Sequence, residues 1–117
     1  MFDVHRYGPA VAALLEPARE ASLGPGRPDR DAKADLAALT PEQLCAPHAV
    51  ADRDLALACI SGLWLYHDFL DESHTISQNL SGSTGSYWHG IMHRREPDAS
   101  NAKYWFRQTG DHAIFPD

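Results

Sequence analysis

Histidines and carboxylates recur at helical spacing in the second half of this 117-residue chain. His67, Asp71 and His74 form one set, and His89, His93 and Glu96 form another. At about 100° per residue, steps of four and seven hold each set within roughly 60° of arc on one helix face. Imidazole and carboxylate groups projecting together can ligate a divalent metal such as zinc, move a proton or hold an anion. The candidate acid–base residues are His67, Asp71, His89 and His93. The candidate metal ligands are His67, His74, His89, His93 and Glu96.

Each set has its own chemistry. His89 and His93 stand at i and i+4, the spacing by which one helix offers two nitrogens to one point. The helical zinc-protease signature needs Glu directly after the first His, and Gly90 there excludes that class. Asp71 lies one turn from both His67 and His74 and can set an imidazole tautomer or ligate beside it. The dipeptide His67-Asp68 resembles the metal pair of helical phosphohydrolases, although a chain of this length is short for that fold. Trp64, Tyr66 and Phe69 hem the first face, which argues for a part-buried His67.

A third group is cationic. Arg94, Arg95, Lys103 and Arg107 surround the aromatic residues Trp88, Tyr104 and Trp105. Arginine grips carboxylate or phosphate in a bidentate fork. Arg94, Arg95, Lys103, Tyr104 and Arg107 are therefore the candidate ligand-binding residues, for a small anionic ligand. Internal salt bridges to Glu96, Asp98 and Asp111 are the competing use of the same cations.

These groups need elements to position them. Val11, Leu14, Leu15 and Ala18 form one apolar stripe, and Pro17 interrupts it, so a short helix is placed from Pro9 to Glu16. Ser22 to Asp31, with two glycines and two prolines, reads as an exposed, mobile loop. Ala32 to Leu39 has room for one or two helical turns. Thr40-Pro41-Glu42-Gln43 is a helix start with a capping box. Asp52 opens a main helix that is apolar nearly all round and is extended to Gln78. Gly62 within it implies close approach of a neighbouring element. Asn79 to Ser86 reads as a loop, with Ser86 capping a helix from Tyr87 to Arg95. Ser100 caps another from Asn101 to Gln108, and Gly110 stops it. In the tail, Asp111 to Asp117, Ile114 and Phe115 are expected to pin the chain to the body.

No segment combines strand alternation with turn dipeptides. The expected fold is all-α: a single-domain helical bundle, with a buried central helix and short surrounding helices. Residues 1–40 are expected to be peripheral and loop-rich, and residues 41–117 to form the core. The eight residues between the two histidine helices are few enough for antiparallel packing. The two inward faces would then meet, and His67, His74, His89 and His93 would converge on one pocket.

The stretch Gly85-Ser-Tyr-Trp-His-Gly-Ile-Met-His-Arg-Arg-Glu-Pro-Asp98, followed by Ser100-Asn-Ala-Lys-Tyr-Trp-Phe-Arg107, resembles a family of short, uncharacterised microbial proteins. Leu63-Trp-Leu-Tyr-His-Asp-Phe-Leu-Asp-Glu-Ser-His-Thr-Ile-Ser-Gln78 belongs to the same pattern. The resemblance covers about the last half of the chain and implies no particular activity. It implies that His67, Asp71, His74, His89, His93 and Arg94 belong together.

Whole-chain numbers exclude more than they identify. Six cations face nine carboxylates through residue 60, and four face seven beyond it, so both halves carry the same excess of three negative charges. Nucleic-acid binding relies on clustered positive charge, which this balance lacks, and an anionic membrane surface is disfavoured likewise. Cys45 and Cys59 form no CxxC pair, and Cys59, inside an apolar run, reads as a small buried hydrophobe. No signal peptide and no apolar run of about 18 residues is visible, so cytoplasmic residence is expected. Two function classes fit. One is a small metal-assisted or acid–base enzyme acting on a small anionic substrate. The other is a non-catalytic ligand-binding or protein-interaction module.

Overall fold

Local signals set most helix starts. Thr40 accepts a hydrogen bond from Gln43 N at 3.2 Å, and the Gln43 side chain accepts one from Thr40 N at 3.3 Å, closing the capping box. Asp52 caps the longest helix by accepting from Leu55 N at 3.1 Å. The computed structural model describes residues 3–16, 19 and 22–115. Among these, seven α-helices follow in order: α1 (Pro9–Leu15), α2 (Lys33–Ala38), α3 (Pro41–Cys45), α4 (Arg53–Tyr66), α5 (Leu70–Ser77), α6 (Ser83–Arg95) and α7 (Ala99–Thr109). Single 3-10 turns precede α1 and α2. No strand occurs among the described residues. Ala18 and the break assigned to Pro17 lie outside the described residues, as do the last two residues of the tail.

The helices pack into one all-α domain. Its radius of gyration is 13.9 Å, near the roughly 13 Å expected of a compact chain this long. Leu14, Leu36, Leu44, Ile60, Leu63, Trp64 and Phe69 share one buried cluster. Leu14 of α1 and Leu36 of α2 lie within it, so the first forty residues contribute to the core rather than only bordering it. Leu63, Trp64 and Phe69 are buried as expected. The C-terminal half of α4, Ile60 to Leu65, is buried throughout, whereas Leu55 and Cys59 on its outer side are exposed. Cys59 is thus not the buried hydrophobe its apolar neighbours implied, because it shares a helix face with Leu55.

The long helix expected from Asp52 to Gln78 is two helices. The chain breaks at His67–Phe69, where Asp68 takes φ +68°. This left-handed geometry is strained for a non-glycine residue, and the Asp68 carboxylate is held there from several sides. It accepts hydrogen bonds from the Arg95 guanidinium, from Arg19 at 2.9 Å and from Arg27 N at 3.2 Å. Those bonds outweigh the local preference for continued helix. The loop from Ser22 to Asp31 is mostly exposed, as expected, but its backbone is tied to the body. Leu23 is exposed, yet Arg95 donates to Gly24 O at 3.0 Å and to Pro25 O at 3.4 Å, tying the loop backbone to α6.

The second loop is also shorter than its composition suggested. Ser83 and Thr84 already belong to α6, whose N-cap is Gly82 rather than Ser86. Ser83 donates to Thr109 O, and Thr84 bonds the His112 ring at 2.8 Å. Asp98, not Ser100, caps α7 through Asn101 N at 3.2 Å, and Gly110 ends that helix at φ +60°. In the tail Phe115 packs edge-on to Tyr87, with 5.8 Å between ring centroids, but both it and Ile114 remain exposed, so the expected anchoring reduces to this one ring contact.

Two glycines let α6 sit close between α4 and α7. A Cβ on Gly62 would meet the Trp88 ring at 2.7 Å, and one on Gly90 would meet Phe106 at 2.8 Å. The close approach expected at Gly62 is therefore an indole from α6. α5 packs against both α4 and α6, and Ser61 donates to Ser73 O at 2.9 Å across the first contact. No helix of the described residues is long and apolar enough to cross a membrane.

Candidate metal centre

Residues 78–82 link α5 to α6 in so few steps that the two helices lie side by side. The last turn of α5 carries His74, and facing turns of α6 carry His89 and His93. Their ring centroids are separated by 4.7 Å (His74–His89), 5.3 Å (His74–His93) and 4.9 Å (His89–His93). One nitrogen from each ring lies within 4.8 Å of one from each other ring. His89 and His93 are buried, and His74 is half-buried. On the far side, Trp105 of α7 stacks on His89 at 3.9 Å between centroids, with planes 16° apart.

The electrostatics favour the neutral forms of His74 and His89. Burial, then the neighbouring His74 and His93, push the His89 pKa down to about 4. Burial and His93 also lower His74, against a smaller opposing pull from Glu96 and Asp71. A neutral imidazole has a lone pair to offer a metal ion. His93 Nδ1 lies 2.6 Å from Glu96 Oε1. A carboxylate only accepts, so Nδ1 donates to Glu96, and Nε2 is the nitrogen left to face a ligand. A carboxylate bonded in this way holds the orientation of a histidine that ligates a metal.

Among the described residues two buried side-chain nitrogens have no hydrogen-bond partner, Nε of Arg19 and Nδ1 of His89, and only the second lies in the histidine cluster. A buried unpaired nitrogen is costly unless something outside the chain satisfies it. Zinc–nitrogen bonds of about 2.0–2.1 Å place tetrahedral ligand nitrogens about 3.3 Å apart. The three rings, whose nitrogens lie within 4.8 Å of one another, would have to close in to reach that spacing. His93, Glu96 and Asp98 form a second group of potential ligands. There, however, both Asp98 oxygens already accept from Asn101, at 3.2 Å from its N and 2.8 Å from its Nδ2.

The other sequence candidates lie apart from this cluster. His67 does not join the three histidines. It is buried at the end of α4, with Nε2 2.9 Å from Leu14 O and Nδ1 3.2 Å from Asp29 Oδ2. Both partners are acceptors, so only the doubly protonated ring satisfies both bonds. The break at Asp68 removed the helical register that had set His67 on one face with His74. Arg95 is not available to a ligand: it is buried, and its guanidinium bonds Asp68, Leu65 O, Gly24 O and Pro25 O. Lys103, Tyr104 and Arg107 are exposed on α7, and Arg94 borders an apolar slot beside Trp88 and Gly62. Asp71 is exposed, in the first turn of α5.

Reading the sequence missed Asp68 and Arg19, which hold the α4–α5 break. The adjacent dipeptide His67-Asp68 was visible, but its partners are 27 and 49 residues away in the chain. Glu96, which bonds His93, also lines a cleft of about 740 Å³ that none of the three histidines lines. Comparison with models of known protein families, with curated proteins and with solved structures finds no match.

Proposed function

We propose that this protein is a small metal-dependent enzyme in which His74, His89 and His93 hold a divalent ion, zinc being the best fit to three imidazoles. Glu96 orients His93 by accepting from its Nδ1. Three protein ligands leave a fourth position for water or substrate, the pattern of catalytic rather than structural zinc. An ion there would act as a Lewis acid on a bound carbonyl or phosphoryl oxygen. The observation that carries this reading is the buried, unpartnered Nδ1 of His89 inside a cluster of three imidazoles.

The His93–Glu96 contact also supports a second reading, in which the pair works as a metal-free general base. A carboxylate bonded to one ring nitrogen raises the basicity of the other. One measurement separates the two. Purified without a histidine tag and dialysed against metal-free buffer, the protein should retain about one zinc per chain by elemental analysis. Its His89→Ala variant should retain none while keeping its helical circular dichroism. Wild-type protein that takes up no zinc, nickel or cobalt at stoichiometric concentration would leave only the acid–base reading.

A further inference from the structure

The cleft that Glu96 lines carries charges of both signs. The cations come from the loop before α2 and the start of that helix, which bring Arg30 and Lys33. The carboxylates come from the first turn of α5, with Asp71 and Glu72, and from Glu96 at the end of α6. Asp68 also lines the cleft, but Arg95 and Arg19 already neutralise it. None of Arg30, Lys33, Asp71 and Glu72 belongs to an ion pair of the described residues. Charges of both signs from different elements therefore line one open volume without pairing with each other. At about 740 Å³ the cleft falls within the range of small-molecule sites.

We infer that the cleft binds a short peptide or amino-acid derivative as a zwitterion, its ammonium toward Asp71 and Glu72 and its carboxylate toward Arg30 and Lys33. Glu96 joins this cleft to the histidine cluster, since it lines one and hydrogen-bonds His93 of the other. As the substrate class of the proposed metal centre, the inference rests on that reading. A purely anionic ligand fits this cleft less well, because Arg94, Arg95, Lys103 and Arg107 do not line it and carboxylates do. Two charge-assisted contacts at opposite ends would reject molecules that lack either charge.

The test titrates zinc-supplemented, ¹⁵N-labelled protein with triglycine, N-acetyl-triglycine and triglycine amide. Saturable amide shifts in residues 26–33 and 70–72 are expected with triglycine, at an affinity about tenfold above either blocked peptide. The exposed pair Arg30→Gln/Lys33→Gln should bind triglycine no better than its amide. Asp71→Asn/Glu72→Gln should lose the preference for the free ammonium. Both variants should keep the zinc content of the wild type. Equal binding of all three peptides, or no saturable shift with any, overturns the inference while zinc uptake still judges the metal centre. Discrimination by a protein that takes up no zinc would instead keep the cleft as a peptide site and remove the metal centre.

Discussion

The indole of Trp105 lies face to face with the imidazole of His89, 3.9 Å between centroids and 16° between planes. This contact fixes the ring that carries the unpartnered Nδ1 and shields it from water. Trp105→Leu keeps the site apolar but removes the flat surface. Zinc affinity should fall about 10–100-fold, the usual effect of losing outer-shell support, with the helical content unchanged. Competition against a chromophoric chelator measures it. An unaltered affinity would mean that Trp105 merely fills space.

Ligation should appear as stability. A metal that binds only the folded chain stabilises it by about 2.7 kcal/mol at a hundredfold excess over Kd. Thermal unfolding of metal-free protein should therefore shift upward on adding zinc. His74→Ala should abolish that shift at little cost to the metal-free protein, because His74 is half-buried and its ring is the most accessible of the three.

The histidine cluster also sets a pH dependence. His89 has a pKa of about 4 in the fold, against 6.5 for an unperturbed imidazole. The unfolded chain therefore binds the extra proton between those values, and stability rises with pH across that window. It is complete above about 6.5 and lost as pH falls toward 4, by up to about 3 kcal/mol from this ring. His74, lowered in the same direction, adds to the trend. Urea unfolding at pH 7.5 and 4.5 should give a difference that His89→Phe largely removes.

Arg95 should behave as a structural residue. Its guanidinium joins α6 to Asp68 and to the loop backbone at Gly24 and Pro25. Arg95→Ala takes one of two guanidinium partners from the buried Asp68 carboxylate, leaving Arg19, and should cost up to about 3–5 kcal/mol. Asp68→Asn, which keeps hydrogen-bonding capacity, should cost less. A ligand-binding arginine would instead leave chemical denaturation unchanged.

Gly62→Ala tests the α4–α6 contact. Alanine gains about 1 kcal/mol of helix propensity, but its methyl would meet the Trp88 ring at 2.7 Å. Overpacking of this kind costs about 1–3 kcal/mol, so a net loss is expected. The double variant Gly62→Ala/Trp88→Leu should recover part of it, as a double-mutant cycle would measure.

Sequence by itself determined the helical class, the capping of α3 and α4, and the pairing of His89 with His93. These follow from local rules: side-chain caps, proline placement and a period of 3.6 residues act within one or two turns. It also put His74 opposite that pair, because the short link from α5 to α6 left them little choice but to lie side by side. The separation of His67 from the cluster, the burial of Arg95 and the tethering of the Leu23–Arg30 loop were decided only by the tertiary structure. All three depend on Asp68, a single residue in left-handed geometry held by arginines 27 and 49 positions away. A helical period extrapolated through that residue continues straight, whereas long-range ion pairs in a low-dielectric interior outweigh the local cost of breaking it.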